Sequence, residues 1–347
     1  MRIGVGVLAV KRRRREWSFY RCFVVFATSI LLGIPRQSDS LQGQCQTIRR
    51  RPLKLYDSTQ LEIAIPDEVD SRQEEYRLRF GGVGRLYEGK SSDSSRPLQR
   101  LQQATVAIVG LGGVGSWAAE ALCRSGIGNL VLIDLDDICI SNTNRQLHAT
   151  SSTIGRLKIE EMQKKLFDIN PHCNVSLVHE FVSPENVHEV IGNLGATVLL
   201  DMIDGSREKS ALLAACADLK LPVVTCGGAA GRRDPTKIIC GDLTEVEGDK
   251  LLATCRKELR KYHGFERGLS FQEKRKNHRK SRKWSIAAVF STEPQKSLPA
   301  GTDLGSSFRR CDGALGTACF VTGAYGFAAA ARVVDMIAEG RTKPPQR

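Results

Sequence analysis

From residue 105 onward, short apolar runs alternate with stretches of helical periodicity. Residues 105–109 are apolar with turn glycines behind them, the pattern of a strand buried on both faces. Residues 113–125 carry helical spacing through Val114, Ala118, Leu122 and Cys123, and Gly126 stops the helix. Residues 129–133 form a second apolar run, and residues 151–169 read as a helix ended by Asn170-Pro171. Further strands are predicted at 175–181, 197–200 and 221–225, with helices at 184–193 and 207–219 between them. This alternation predicts an α/β domain, a Rossmann-like, mostly parallel sheet with helices on both faces. Upstream, residues 75–87 read as an amphipathic lead-in, followed by a Ser-rich loop at 91–95 and a short helix at 98–103.

The second half is less regular and reads as an irregular C-terminal extension. Strands are predicted at 238–240 and 286–290, a helix at 250–262, and loops at 264–283 and 294–313. Residues 315–337 are small, apolar and long, the pattern of a closing core helix; Arg332 and Asp335 within it argue against a membrane span. The boundaries that follow are a core over 74–245 and a C-terminal part of the same domain over 246–340. No internal repeat is visible.

Charge changes the picture at two places. The formal net charge is +13, yet residues 1–55 carry a net of +10 and residues 256–283 a net of +9. The rest sums to −6, so a mildly acidic body bears two basic segments. In the first, the basic run 11–15 precedes thirteen mostly apolar residues, 22–34, and then an Arg/Gln/Ser-rich stretch nearly free of acids. Thirteen residues fall short of the roughly 20 that a membrane-spanning helix needs. Residues 1–55 are read as a disordered or anchoring leader for targeting, with possible membrane association through 17–34. The eleven cysteines are irregularly spaced and include no C-x-x-C pair, so a reducing compartment and no zinc are expected.

The candidate chemistry starts at Gly110-Leu111-Gly112-Gly113-Val114-Gly115, between a strand and a helix. Glycines there let the backbone turn sharply and approach a phosphate, which the helix N-terminus attracts. Asp134 follows the last glycine by 19 residues, where a carboxylate binds ribose hydroxyls. These features fit a nicotinamide-dependent dehydrogenase equally well. Asp136, Asn142, Arg145, Gln146 and Lys158 then bring two cations and amides toward the loop, which suits a triphosphate better than a dinucleotide. Surface charge remains the alternative for Arg145 and Lys158. Asp201-Met202-Ile203-Asp204 ends the next apolar strand, where a carboxylate can hold Mg²⁺ against phosphates or merely cap a helix.

At this point the sequence resembles a known family. The run from Val106 through Gln146, with Lys158 and Asp201 to Asp204, is similar to the adenylation domain of ubiquitin-activating enzymes and their thiamine- and molybdopterin-pathway relatives. More closely it resembles tRNA threonylcarbamoyladenosine dehydratases. The matches are Arg79-Phe80-Gly81-Gly82 with Arg85-Leu86-Tyr87, Gly115 through Leu122, and Asn142 through Gln146. Gly227-Gly228-Ala229, Asp234-Pro235-Thr236 and Val289-Phe290-Ser291-Thr292-Glu293 complete them.

The resemblance implies ATP-dependent activation of the threonyl carboxylate of N6-threonylcarbamoyladenosine beside the tRNA anticodon, then cyclisation with net loss of water. It implies that Gly110, Gly112, Gly113 and Gly115 cradle ATP, with Asp134 and Asp136 on its ribose side. Asn142, Arg145 and Lys158 would contact the phosphates, and Asp204 would hold Mg²⁺. Arg145, Lys158 and Asp204 would thus be the catalytic set. It further implies a homodimer and, from eukaryotic relatives, an organelle location, mitochondrial membrane foremost, with plastid or cytoplasm as alternatives. The basic residues Lys274, Arg275, Lys276, Arg279, Lys280, Arg282 and Lys283 become candidate tRNA contacts.

Two departures stand out. Many relatives offer an Arg from the amino-terminal motif to a partner subunit's ATP; Gly82 stands there, leaving Arg79 or Arg85. Ala288 stands where several dehydratases carry a Cys. Cys226 and Cys240 read as strand packing. Activation of a ubiquitin-like or sulfur carrier's C-terminus, and a non-catalytic scaffold, are the competing readings.

Overall fold

Strands that are apolar at every position need cover on both faces, and that need organises the chain. The computed structural model describes residues 68–87, 96–266, 283–296 and 315–347. The leader 1–55, most of the 294–313 loop, and Lys274, Arg275, Lys276, Arg279, Lys280 and Arg282 lie outside the described residues. Helices α1 (Glu68–Leu86) and α2 (Arg96–Gln103) lead into β1 (Thr105–Val109), α3 (Gly115–Arg124), β2 (Asn129–Ile133), α4 (Lys158–Ile169) and β3 (Asn174–Val178). There follow α5 (Val187–Gly192), β4 (Val198–Asp201), α6 (Ser206–Asp218) and β5 (Val223–Cys226). Last come β6 (Ile238–Asp242), α7 (Lys250–Tyr262), β7 (Ala287–Ser291) and α8 (Cys319–Ala338).

The strands make one seven-stranded sheet in the order β3-β2-β1-β4-β5-β7-β6. All pairs are parallel except β6 with β7. Strand residues alternate between two cores. Val106, Ile108, Leu130, Leu132, Val198 and Leu200 face α3, α4 and α8. Ala107, Val109, Val131, Ile133 and Leu199 face α5, α6 and α7. At about 1.5–3 kcal/mol for each fully buried Val, Leu or Ile side chain, this two-sided burial is the main force holding the sheet.

Register places the site. Val109 pairs with both Ile133 and Asp201, and Asp201 pairs with Thr225, so the C-terminal ends of four neighbouring strands lie level. The strand order reverses between β1 and β4, the switch point at which open α/β sheets bind ligands.

The predicted helix at 151–169 starts later than its periodicity implies. Gly155 adopts φ +81°, a left-handed turn that cannot belong to a helix, and Asp137 forms an antiparallel bridge with Leu157. The α4 helix therefore begins at Lys158, on a turn held by the Lys158 N–H donating to the Asp136 carbonyl (3.1 Å). Cys240 also departs from expectation. It is exposed, because β6 is an edge strand, whereas Cys226 is buried as read.

The closing helix α8 lies directly against α3. A Cβ on Gly326 would sit 2.7 Å from the Val114 carbonyl oxygen and 2.9 Å from both the Ala118 nitrogen and the Trp117 Cβ. Gly326→Ala gains about 1 kcal/mol of helix propensity but forces two packed backbones apart, at about 1–3 kcal/mol. The expected outcome is a net loss of stability and a lower midpoint in thermal unfolding.

His148 packs against α4, 0% exposed, with no hydrogen-bond partner on either ring nitrogen among the described residues. Burial, reinforced by Lys158 and Lys165 and opposed by Glu161, pushes its pKa down from 6.5 to about 4. The unfolded chain therefore binds a proton that the folded one refuses. No penalty exists above pH 6.5, and up to about 3 kcal/mol of stability is lost as pH falls toward 4. Urea unfolding of His148→Gln across that window should show a shallower decline than wild type; parallel curves would remove this residue from the acid response.

Candidate active site

The loop between β1 and α3 has the shape its glycines impose. Gly110 takes φ +93°, and a Cβ there would lie 3.2 Å from the Met202 carbonyl oxygen. Any Cβ on Gly115 would be driven into the Gly110 carbonyl. These two positions let α3 start directly above the end of β1. Gly112 instead has nothing among the described residues within 4 Å of a would-be Cβ, which leaves its backbone accessible to a ligand. Among the described residues the α3 N-terminus has no side-chain cap; the Ser116 N–H turns back to the Gly112 carbonyl (3.2 Å), so the helix end offers an anion its dipole rather than that donor.

Asp134 directly follows β2, with 8% of its surface exposed. Its carboxylate accepts from the Leu111 N–H (2.6 Å) and the Asp136 N–H (2.8 Å). Burial raises its pKa, and the Lys158 charge with these two backbone donors opposes the rise. Asp134 thus fixes the glycine loop itself, a role beyond the ribose contact that spacing suggested. Asp136 and Lys158 meet each other: Lys158 Nζ lies 2.6 Å from Asp136 Oδ2, with the lysine side chain 7% exposed and the aspartate 51%.

Asn142 lies buried in the turn Ile140–Asn142, its Oδ1 accepting from the Cys139 N–H (3.0 Å) and its carbonyl from the Arg145 N–H (3.0 Å). The Arg145 carbonyl accepts from Trp117 Nε1 of α3 (2.9 Å) and Thr322 Oγ1 of α8 (3.3 Å). Its side chain runs past the loop: a Cβ on Gly113 would lie 3.3 Å from Arg145 Cγ. Nη1 donates to the Ser141 carbonyl (2.8 Å) and to Asn144 Oδ1 (2.9 Å). The predicted cation is therefore held at the glycine loop by its own backbone.

The two carboxylates of Asp201-Met202-Ile203-Asp204 separate. Asp201 is 0% exposed and fully engaged, whereas Asp204 is exposed at the turn after β4. Among the described residues no group of three or more His, Cys, Asp or Glu gathers around a metal position. A lone open carboxylate beside a phosphate loop is nonetheless the usual protein share of a Mg²⁺ site.

The structure explains motifs that the sequence left without a role. Asp249 caps α7 through the Leu252 N–H (3.0 Å), accepts from the Gly228 N–H (3.1 Å), and pairs with buried Arg232 (3.2 Å). Glu293, at the end of β7, accepts from the N–H groups of Arg233 (3.0 Å) and Asp234 (2.8 Å). Gly227-Gly228, Asp234-Pro235-Thr236 and the Glu of the β7 motif thus form one corner beside β5. Of the two amino-terminal candidates, Arg79 is tied to Glu75 (2.6 Å) and to the Ile169 carbonyl (3.1 Å). Arg85 lies back along α1 over Gly81 and Gly82. Lys283 is exposed and paired with Glu245 (3.1 Å).

This geometry has counterparts of known activity. The chain is 44% identical over 271 residues to the tRNA threonylcarbamoyladenosine dehydratase of Haemophilus influenzae, covering 78% of this chain and 97% of that protein. The Escherichia coli enzyme of that name is 40% identical over 262 residues, 73% and 91% of the two chains. The crystal structure of the E. coli tRNA N6-threonylcarbamoyladenosine dehydratase in complex with ATP superposes with a TM-score of 0.63 at 38% identity, covering 76% of this chain and 95% of that one. The sequence pattern of the ThiF family matches residues 88–344, and the chain belongs to that family.

Proposed function

We propose that this chain activates the threonyl carboxylate of N6-threonylcarbamoyladenosine in tRNA with ATP and closes it into a ring with net loss of water. The observation that carries the reading is the meeting of the glycine loop, Asp134, Arg145 and the Lys158–Asp136 pair at the switch point. The chain also spans nearly the full length of relatives that bear the dehydratase name.

A carboxylate is a poor electrophile because its leaving group would be oxide. Attack of a carboxylate oxygen on the α-phosphorus of ATP forms a mixed anhydride as the bond to the β-phosphate breaks and pyrophosphate departs. A heteroatom of the same side chain then attacks the acyl carbon, and AMP leaves with the oxygen. The loop N–H groups and the α3 N-terminus hold the phosphates in place. Arg145 and Lys158 stabilise negative charge growing on phosphate oxygens in the transition state. Mg²⁺ would be held by Asp204 together with the phosphates, neutralising the departing pyrophosphate. The basic segment, Lys274 to Lys283, supplies sequence-blind contacts to the tRNA backbone.

Pyrophosphate release from ATP, measured with threonylcarbamoylated tRNA and with a sulfur-carrier protein in turn, tests the reading. Stimulation by tRNA is expected; stimulation by the carrier alone would sink it. Arg145→Ala leaves the Trp117 and Thr322 bonds to its carbonyl intact, so the fold survives while turnover falls about 10²–10³-fold. A fully active variant would remove Arg145 from the mechanism. Replacing the seven basic residues from Lys274 to Lys283 with serine should raise KM for tRNA at least about tenfold and flatten its salt dependence. ATP binding without tRNA should stay unchanged, and an unaltered KM for tRNA would show the segment to be solvated charge.

A further inference from the structure

Behind the site lies a charged cluster that the reaction does not touch. Lys209 of α6 and Asp201 at the end of β4 are both 0% exposed, with Nζ 2.7 Å from Oδ2. Thr225, on β5, donates its hydroxyl to the same Oδ2 (2.7 Å), and Lys209 Nζ also reaches Thr225 Oγ1 (3.1 Å). The other carboxylate oxygen, Oδ1, accepts from the Ile203 N–H (3.1 Å). With both oxygens bonded and 0% of its surface exposed, Asp201 faces inward, away from any ligand.

Stability alone is a weak reason to keep such a cluster. Apolar residues of similar volume commonly replace a buried ion pair at no loss, because desolvating two charges consumes most of their attraction. The placement is more informative. Asp201 closes the turn Met202–Asp204, and that turn is the floor of the glycine loop. The Met202 N–H donates to the Val109 carbonyl (2.9 Å). Met202 O would lie 3.2 Å from a Cβ on Gly110, and Met202 Cβ 3.5 Å from one on Gly115. Asp204 is the last residue of the same turn. One carboxylate thus joins α6 and β5 to the surface on which the phosphate loop rests.

We infer that Lys209, acting through Asp201 and Thr225, is a positioning residue for nucleotide binding. It fixes the Met202–Asp204 turn so that the loop N–H groups and the Asp204 carboxylate converge on one phosphate chain. The inference rests on the proposed ATP reading of the site.

The test is direct ATP binding by calorimetry on the full chain, with KM for ATP and for tRNA measured beside it. Lys209→Met strands the Asp201 charge and is expected to lose both stability and ATP affinity. Lys209→Met/Asp201→Leu removes both charges. It should keep a melting point near wild type yet bind ATP at least about tenfold more weakly, the range that lost outer-shell contacts typically produce. Thr225→Val, nearly isosteric, should weaken ATP binding by roughly two- to fivefold. In both, KM for ATP should rise while KM for tRNA holds. Wild-type ATP affinity in the folded double variant, or in Thr225→Val, overturns the inference and leaves the functional reading standing. A wild-type chain that fails to bind ATP overturns both.

Discussion

Gly115 sits so close to the Gly110 carbonyl that no side chain fits between them, and the architecture of the crevice follows from that contact. It lets a helix begin immediately above a strand end, so a helix N-terminus without a side-chain cap among the described residues opens on the crevice. The same closeness makes the loop dependent on outside support, because glycine brings no side chain of its own. Asp134 supplies it from β2 through the Leu111 N–H, and Met202 supplies it from β4 beneath Gly110. The parallel register that levels β1, β2 and β4 is what allows both neighbours to reach.

A second layer of order comes from α8, which reads as a featureless apolar helix. Its Gly326 admits α3 to backbone contact, and Thr322, about one turn earlier, bonds the Arg145 carbonyl and packs on Gly113. The far C-terminal segment therefore shapes the glycine-loop end of a site built mainly from residues 110–158. Glu293 does comparable work by holding the Asp234 turn beside β5. Motifs scattered over the sequence are consolidated into two supports, one against the glycine loop and one beside β5.

Much of this was legible in the residues. The strands at 105–109 and 129–133 and the helix at 250–262 match residue for residue, because unbroken apolar runs or clean periodicity end at strong punctuation. The helical pattern over 151–169 extends past the true start of α4, because the left-handed Gly155 turns the chain first. Asp201 and Asp204 were one signal in the sequence; burial divides them. Lys209 went unread although the signal existed. It lies three, four and seven residues before Leu212, Leu213 and Cys216, on the buried stripe of α6, where a lysine requires a partner. Pairings such as Glu293 with Asp234, or Asp249 with Arg232, depend on contacts between distant segments and leave no local trace.

The Lys158–Asp136 pair carries a consequence for selectivity. A lone ammonium beside a phosphate loop would attract any small anion in the cell. Here the crevice brings its own counterion, half in solvent at Asp136 and shielded at Lys158, so a monovalent visitor gains little by intruding. Under the proposed ATP reading, a polyanion that also engages the loop backbone and the helix N-terminus would gain on several fronts at once, and Lys158 would exchange Asp136 for a phosphate. Nucleotide recognition on that reading would be an exchange of one anion for a larger one rather than the filling of an empty positive hole.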